Sequence, residues 1–258
     1  MEILLYILAG AAVGLAVGIT GVGGGSLMTP LLILFGFPYH IAIGTDLLYA
    51  AITKASGVVA HKRQGTIRWQ LVMLLAAGSI PAALLTAYLL DKVFTDAHDY
   101  GPLLTTSLGV MLILTSAVLL FKSRMSEPTT TTPPSWAQRH AKPITVIMGF
   151  VLGTLVTLSS VGAGAICAAI LLVLYPRLPA LHVVGTDIAH AVPLTLIAGL
   201  GHLIFLGNVD FSLLICLLIG SLPAIHVGTR LGARLPNHVL QPILASILMI
   251  LGVKFALF

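Results

Sequence analysis

The chain has 258 residues, of which 58% are hydrophobic and only 8% are charged, and its formal net charge is +5. Soluble domains carry about 25% charged residues, so a water-soluble fold of this composition would expose very large apolar patches. The composition therefore excludes a soluble protein and predicts an all-α polytopic membrane protein embedded in the lipid bilayer. The basic residues cluster in loops beside apolar segments, which argues against a nucleic-acid partner.

The first apolar segment spans residues 3–36 and holds the glycine-rich stretch TGVGGGS at 20–26. A single straight helix over the whole segment would run about 50 Å, whereas the hydrocarbon layer is about 30 Å thick. Two full crossings would need about 40 residues, more than the segment has. We therefore predict a helix, a glycine-lined break at membrane depth and a second short helix. Backbone of this kind is tolerated in a membrane only where protein or a water-filled cavity satisfies it.

The rest of the chain alternates between apolar segments and polar connections. A second segment of the same length, 143–176, contains the related stretch SSVGAG at 159–164. Six further segments have the length of about 20 residues that one crossing needs, at 40–60, 69–90, 102–121, 180–205, 211–229 and 238–257. Residues 123–142 are polar and rich in proline and threonine, which is typical of a solvated linker rather than a folded element.

Five short motifs of the first half recur in the same order in the second. Their spacing is nearly constant, from the first pair, which begins at Thr20 and Ser159, to the last, which begins at Gly78 and Gly220. The pairs are TGVGGG with SSVGAG, GTD at 44–46 with GTD at 185–187, His61 with His202, GTIRW at 65–69 with GNVDF at 207–211, and GSIPA with GSLPA. The sequence therefore predicts two homologous halves, 1–122 and 143–258, each with a glycine-broken helical hairpin and three membrane-spanning helices, joined by the linker 123–142.

The basic residues test how the two halves are oriented. If each long segment begins and ends on the same side, the halves are inverted repeats, and only Lys92 and Lys254 fall on the face opposite the other basic residues. That face then holds Lys62, Arg63, Arg68, Lys122, Arg124, Arg139, Lys142, Arg177, Arg230 and Arg234. Eight full spans with parallel halves would instead split these twelve residues eight to four. The positive-inside rule favours the inverted arrangement, with a cytoplasmic linker and both termini outside.

The glycine stretches are candidates for an anion site. A helix that begins inside the membrane presents free N–H groups and the positive end of its dipole, which together favour anions. Glycine allows close approach of a ligand, and neighbouring hydroxyl groups add donors. The candidate substrate-binding residues are Thr20, Gly21, Val22, Gly23, Gly24, Gly25, Ser26, Ser159, Ser160, Gly162 and Gly164, together with Lys54. The alternative is that these glycines only bring two helices close together.

Three charged residues lie well inside predicted spans: Asp46, Lys54 and Asp187. Each costs roughly 3 kcal/mol on membrane-insertion scales, so each is a functional candidate. Asp46 and Asp187 occupy matching positions in the two halves, whereas Thr195 takes the position that matches Lys54. The acids are candidates for proton coupling, and Lys54 for a contact with an anion or for pairing with Asp187. The alternative for the GTD motifs is a threonine or aspartate that caps a helix restarting after Gly44 or Gly185.

The histidines give little evidence of function, and the chain contains no recognisable enzyme motif. His190 shares a helix face with Asp187 and is a candidate for proton coupling, although a hydrogen-bonded structural role is favoured for it. His61 and His202 lie at the ends of spans, which favours an interfacial role. The chain contains no metal-ligand spacing, Walker motif, nucleophile elbow or paired-carboxylate pattern. We therefore expect neither catalytic residues nor a cofactor.

The chain resembles the TauE/SafE family of sulfite and organosulfonate exporters. The resemblance rests on GITGVGGGSLMTPLL, AIGTDLLYAAITK and the second copies SSVGAGAI and VVGTDIAHA, and it covers nearly the whole chain. It implies an inner-membrane permease for small sulfur-containing anions. The second copy departs from the glycine pattern at Ser160 and Ala163, so the two copies are not expected to contribute equally.

From the residues and the resemblance together, we expect a permease that exports or exchanges a small anion by alternating access, with its site between the halves near the membrane midplane. Sulfite or an organosulfonate such as sulfoacetate is the expected substrate, and a homodimer is a possible assembly. The alternatives are a passive anion channel on the same fold and a transporter of another small organic anion.

Overall fold

The structure is a computed structural model that describes residues 2–20, 25–94, 96–125, 136–232 and 237–257. These residues form α-helices, one π-helical turn and the connections between them, with no strand in the described ranges. The helices are α1 Glu2–Thr20, α2 Gly25–Leu34, α3 Tyr39–Arg63, α4 Trp69–Val93, α5 Ala97–Met125, α6 Trp136–Arg139, α7 Ala141–Ser159, α8 Ala165–Leu174, α9 Ala180–Gly201, α10 Phe211–Gly232 and α11 Asn237–Leu257, with the π-helical turn at His202–Leu206.

The helices fit a multi-pass membrane protein. Within the described residues, five stretches are long and apolar enough to cross a membrane, and they belong to α4, α5, α7, α9 with its π-helical turn, and α10. Helix α3 has 25 residues but carries Asp46, Lys54 and a basic last turn. Residues 42–51 of α3 are all buried, so protein rather than lipid surrounds this part of the helix.

Both long apolar segments are broken helices that turn back. The first is divided into α1 and α2, and the second into α7 and α8. Tyr6, near the start of α1, packs against Phe37, just after α2, with ring centroids 5.2 Å apart. Thr145, near the start of α7, hydrogen-bonds the hydroxyl of Tyr175, just after α8, at 2.9 Å. Each segment therefore ends on the side of the molecule where it begins.

Close helix contacts give the relative directions of the helices. Gly10, Gly14 and Gly18 of α1 face Leu217, Ser221 and Ile225 of α10, in that order, so these two helices are parallel. In the same way, Gly149 and Gly153 of α7 face Leu75 and Ser79 of α4. Helix α5 is antiparallel to α11, and α3 is antiparallel to α9.

The halves interlock rather than forming separate cores. One buried cluster combines Ile43 and Leu47 of α3 with Leu194 and Ala198 of α9. A second combines α1, α2 and α3 with Leu213, Leu214 and Leu217 of α10. Each apolar core therefore depends on both halves.

The recurring GTD motifs do not start helices, so the capping interpretation of them was wrong. Helices α3 and α9 run through the motifs without interruption. Thr45 Oγ1 instead accepts a hydrogen bond from the backbone N–H of Asp210, just before α10, at 3.1 Å. Thr186 Oγ1 accepts one from the N–H of Arg68, just before α4, at 3.1 Å. A Cβ on Gly44 would overlap the Asn208 carbonyl, which explains why glycine precedes the threonine.

The stretch interpreted as a linker without folded structure contains the short helix α6, which corrects that interpretation. The ring of Trp136 lies 4.9 Å from that of His140, and the Gln138 side chain donates a hydrogen bond to the Val173 carbonyl at 3.5 Å. These contacts hold the four-residue helix beside α8.

Basic side chains are concentrated at one end of the molecule. The turn after α3, the loop after α8 and the end of α10 lie at one end, which we call the basic end. It carries the exposed side chains of Lys62, Arg63, Arg68, Arg139, Lys142, Arg177 and Arg230.

Candidate functional site

A cavity of about 540 Å³ lies between α3, α8, α9 and α10. It reaches from the start of α8 toward the basic end, because its wall includes the last turns of α1 and α10 and the first turns of α9. Its principal lining residues are Gly18, Thr53, Lys54, Ser56, Gly57, Leu119, Gly164, Ala165, Ala168, Asp187, Ile188, His226, Thr229 and Arg230.

Lys54 and Asp187 line this cavity from the antiparallel helices α3 and α9. Asp187 is buried, whereas Lys54 is half-buried at the cavity wall. The structure thus brings a cation and a carboxylate from different halves to one cavity.

Asp46 is fully buried and is not part of the cavity wall. Its Oδ2 accepts a hydrogen bond from Thr29 Oγ1 of α2 at 2.5 Å. The Ser160 hydroxyl lies beside the carboxyl without meeting the geometry of a hydrogen bond, and Asp46 Oδ1 has no hydrogen-bond partner among the described residues. Asp46 therefore connects the re-entrant helix of its own half with the break of the other half.

The break between α7 and α8 is stabilised by hydrogen bonds among its own side chains and backbone groups. Ser160 adopts the left-handed conformation, with φ 57° and ψ 0°, and its N–H donates to the Val156 carbonyl at 2.7 Å. This conformation costs a residue with a Cβ, such as serine, about 1 kcal/mol. The Ser159 hydroxyl donates to the Leu155 carbonyl at 2.7 Å and accepts from the Val161 N–H at 3.2 Å. Ser159 therefore stabilises the break.

The start of α8 opens onto the cavity. Gly164 is the N-cap residue, and the first N–H groups of α8 have no acceptor within the helix. Asp187 Oδ2 lies 3.9 Å from the position that a Cβ on Gly164 would occupy. The helix dipole favours negative charge at this point. An anion at this point of the cavity would thus share the α8 N-terminus with a protein carboxylate, and Lys54 lines the same cavity.

His190 lies behind this wall. Its Nε2 is 2.8 Å from Ser79 Oγ, and its Nδ1 is 3.9 Å from Cys167 Sγ. His190 is fully buried and is not among the residues that line the cavity. These contacts match the hydrogen-bonded structural role that the sequence left open.

The remaining predicted residues belong to the two glycine-containing stretches. Gly21, Val22, Gly23 and Gly24 lie outside the described residues, Thr20 ends α1, and Gly25 and Ser26 begin α2. Gly162 is in the second break with φ 102°, and a Cβ at this position would overlap the Met111 side chain.

Sequence analysis missed several residues of the site. Thr29, the partner of Asp46, is in the same conspicuous stretch as the glycines, and Thr53, Ser56 and Gly57 neighbour Lys54. Their positions beside residues already selected as candidates could have identified them. His226, Thr229 and Arg230 gave no such signal, because the distant helix α10 brings them to the cavity.

Two re-entrant helices and a charged cavity within a multi-pass membrane protein are typical of a membrane transporter. The comparisons with known proteins agree with this class. The model of the family described as "Sulfite exporter TauE/SafE" matches residues 6–255, so the chain belongs to the TauE/SafE family.

The curated relatives are also named as transporters. The chain is 41% identical over 252 residues to the probable membrane transporter protein YjnA of Bacillus subtilis, covering 96% of this chain and 97% of that protein. It is 28% identical to the probable membrane transporter protein YdhB of the same organism, covering 92% and 94%. It is 24% identical to the probable membrane transporter protein MJ0441 of Methanocaldococcus jannaschii, covering 96% and 93%. No solved structure matches the chain significantly.

Proposed function

We propose that the protein carries a small sulfur-containing anion, such as sulfite or sulfoacetate, across the cell inner membrane by alternating access, as an exporter or exchanger. One observation carries this proposal: the cavity of about 540 Å³ ends at the N-terminus of α8 and is lined by Lys54. A water molecule takes about 30 Å³ of liquid volume, so the cavity has room for a small oxyanion with part of its hydration shell.

The relation between the halves supports this mechanism. Matching helices α3 and α9, and α5 and α11, are antiparallel, which is the relation expected when a two-fold axis lies in the membrane plane. Inverted repeats of this kind are typical of secondary transporters, whose substrates bind between the repeats near the midplane. The halves 1–122 and 143–258 would then be the repeats.

The charge of the two ends supports a topology. The exposed lysines and arginines at the basic end favour a cytoplasmic location for it, with the linker inside and both termini outside. The cavity extends toward this end. The structure then corresponds to an inward-facing state in which an anion from the cytoplasm can reach Lys54.

The packing on the far side of the cavity fits carrier-type transport better than an open channel. On the far side of the cavity, Ile43, Leu47, Leu194 and Ala198 form a buried cluster. Beyond them, Asn208 Nδ2 donates a hydrogen bond to the Tyr100 hydroxyl at 2.8 Å. These contacts must separate before an anion can leave on that side.

The buried acids are suited to proton coupling. An anion near Asp187 meets a like charge in a medium of low dielectric constant, so protonation of the carboxyl would favour anion binding. Asp187 reaches the cavity and Asp46 does not, which makes Asp187 the stronger candidate.

Flux of radiolabelled anions into liposomes that contain the purified protein tests the function. Uptake of sulfite, sulfate, thiosulfate, sulfoacetate and taurine into these liposomes is compared with uptake into protein-free liposomes. We expect saturable flux of sulfite or sulfoacetate that internal substrate accelerates. Flux that neither saturates nor responds to internal substrate would indicate a channel.

A further inference from the structure

The mouth of the cavity carries basic side chains of α10. Arg230 and His226 both line the cavity, and both are exposed. They are four residues apart, so they lie on one face of the helix. Thr229 lines the cavity beside them, and its hydroxyl donates to the Ile225 carbonyl at 2.8 Å. An anion that enters the cavity from the basic end passes this face before it reaches Lys54.

The other half has no equivalent of this face. The alignment of GSLPA with GSIPA places Leu84 opposite His226, Ala87 opposite Thr229 and Tyr88 opposite Arg230. The nearby Lys92 forms an ion pair with Asp91 at 3.1 Å and lies 5.7 Å from the centre of the Tyr88 ring. Among the described residues, no carboxylate lies within 4.0 Å of the Arg230 guanidinium. The charge of Arg230 is therefore available to a ligand, whereas that of Lys92 is compensated.

We propose that Arg230, assisted by His226, forms an anion-capture site at the mouth of the cavity, separate from the inner site at Lys54. Its ligand is a small oxyanion, and the identity of that anion rests on the proposed function. Charged clefts with walls of low dielectric constant concentrate counter-ions and accelerate their association, and salt screens the effect. Because the matching positions of the other half are uncharged, capture operates on the basic face alone.

The electrostatic part of the proposal is tested without the transported substrate. A fluorophore is attached to Thr229→Cys; the native Cys167 and Cys216 are buried and react less readily. Iodide is the anionic quencher and acrylamide the neutral one. We expect Arg230→Gln to lower the quenching constant of iodide by about 3-fold at low salt and to leave that of acrylamide unchanged. The control is Arg177→Gln, which removes an exposed arginine of the basic end outside the cavity wall.

The transport part uses sulfite flux from the basic face into liposomes with oriented protein. We expect Arg230→Gln to raise KM by about 3- to 10-fold at low salt, with kcat unchanged, and the difference to shrink at high salt. Arg177→Gln should match the wild type. Equal iodide quenching in the Arg230 and Arg177 variants would overturn the site, and altered quenching with an unchanged KM would overturn its role in capture. If the wild type moves no sulfite, the proposed function fails, while the quenching experiment still decides the site.

Discussion

Asp187 Oδ2 lies 3.9 Å from the position that a Cβ on Gly164 would occupy, at the inner end of the cavity. This is ordinary van der Waals contact, and Gly164 has a φ of −114°, which other residues also adopt. Gly164→Ala should therefore fold normally while its methyl group narrows the space between Asp187 and the start of α8. We expect weaker sulfite binding, by roughly 10-fold, at an unchanged melting temperature.

Gly162→Ala is the matched control for this prediction. Gly162 has a φ of 102°, and a Cβ there would overlap Met111 Cε. We expect a loss of about 1–3 kcal/mol of stability, measured as a lower melting temperature in detergent. Equal stability of the two variants would contradict the structure of the break, and unchanged binding in Gly164→Ala would remove the α8 N-terminus from the site.

The charges of Lys54 and Asp187, which line the same cavity and which we propose to be partners, give a second prediction. Removal of one charge leaves the other uncompensated in the protein interior, which costs up to about 3–5 kcal/mol when a pair is fully buried and less for the half-buried Lys54. We expect Lys54→Met and Asp187→Leu each to lower the melting temperature, and the double variant to recover most of the loss. The double variant Lys54→Met with Asp46→Leu is the control, because Asp46 does not line the cavity that Lys54 and Asp187 share. Equal recovery in both double variants would show that the two carboxylates are equivalent partners.

The GTD threonines give a third prediction, about stability. Thr45→Val and Thr186→Val each remove the acceptor of a backbone N–H in the loop of the other half. An N–H left unsatisfied in the interior costs about 1–3 kcal/mol, and the cost is lower here because both bonds are only part-buried. Both variants should melt at a lower temperature than the wild type. Thr86→Val is the control, because the Thr86 hydroxyl donates only to the Ala82 carbonyl of its own helix. A control that melts as low as the other two would show that these bonds between the halves add nothing.

Much of this fold could be predicted from the sequence, because apolar segment lengths and repeated motifs are local signals. The division of the two long segments into α1 and α2 and into α7 and α8 follows from segment length and the glycine stretches, and the other apolar segments correspond to α3, α4, α5, α9, α10 and α11. The partners of the GTD motifs could not be predicted this way. Thr45 and Asp210 are 165 residues apart, and the same threonine chemistry serves a helix cap or a contact between halves.

The candidate site was predictable in part for the same reason. Lys54 and Asp187 stand out as charges inside apolar segments, and both line the cavity. Asp46 carries the same signal but lies outside the cavity wall, because neighbouring helices cover it. Arg230 resembles any other arginine at the end of a span, and only the packing of α10 against α1 brings it to the cavity.

Alternating access gives a fourth prediction. Thr229 and Gly57 line the present cavity, and their matching residues Ala87 and Ala198 are fully buried. If the halves exchange conformations, Ala87 and Ala198 become cavity residues in the opposite state. Cysteines at these positions should react with a membrane-impermeant maleimide from the outer face, and faster during sulfite turnover.

Ala245→Cys is the control for these labelling experiments. Ala245 is equally buried, but it belongs to the cluster between α5 and α11. Leu103, which matches it at the spacing of GSIPA and GSLPA, does not line the cavity. We expect no labelling there under any condition. Labelling of Ala87→Cys and Ala198→Cys that stays as low as that of Ala245→Cys during turnover would contradict the exchange.

The most direct test of the account is sulfite counterflow in liposomes that contain the purified wild type or Lys54→Met. Internal unlabelled sulfite should drive transient accumulation of labelled sulfite through the wild type. A charge-assisted contact contributes about 1.5–3 kcal/mol, so loss of the ammonium group should weaken apparent affinity by roughly 10- to 100-fold. The control for folding is that the Lys54→Met protein remains monodisperse in detergent. Lost counterflow then reflects the site and not unfolding. Counterflow at wild-type affinity in Lys54→Met would contradict the central claim that Lys54 in this cavity binds the transported anion.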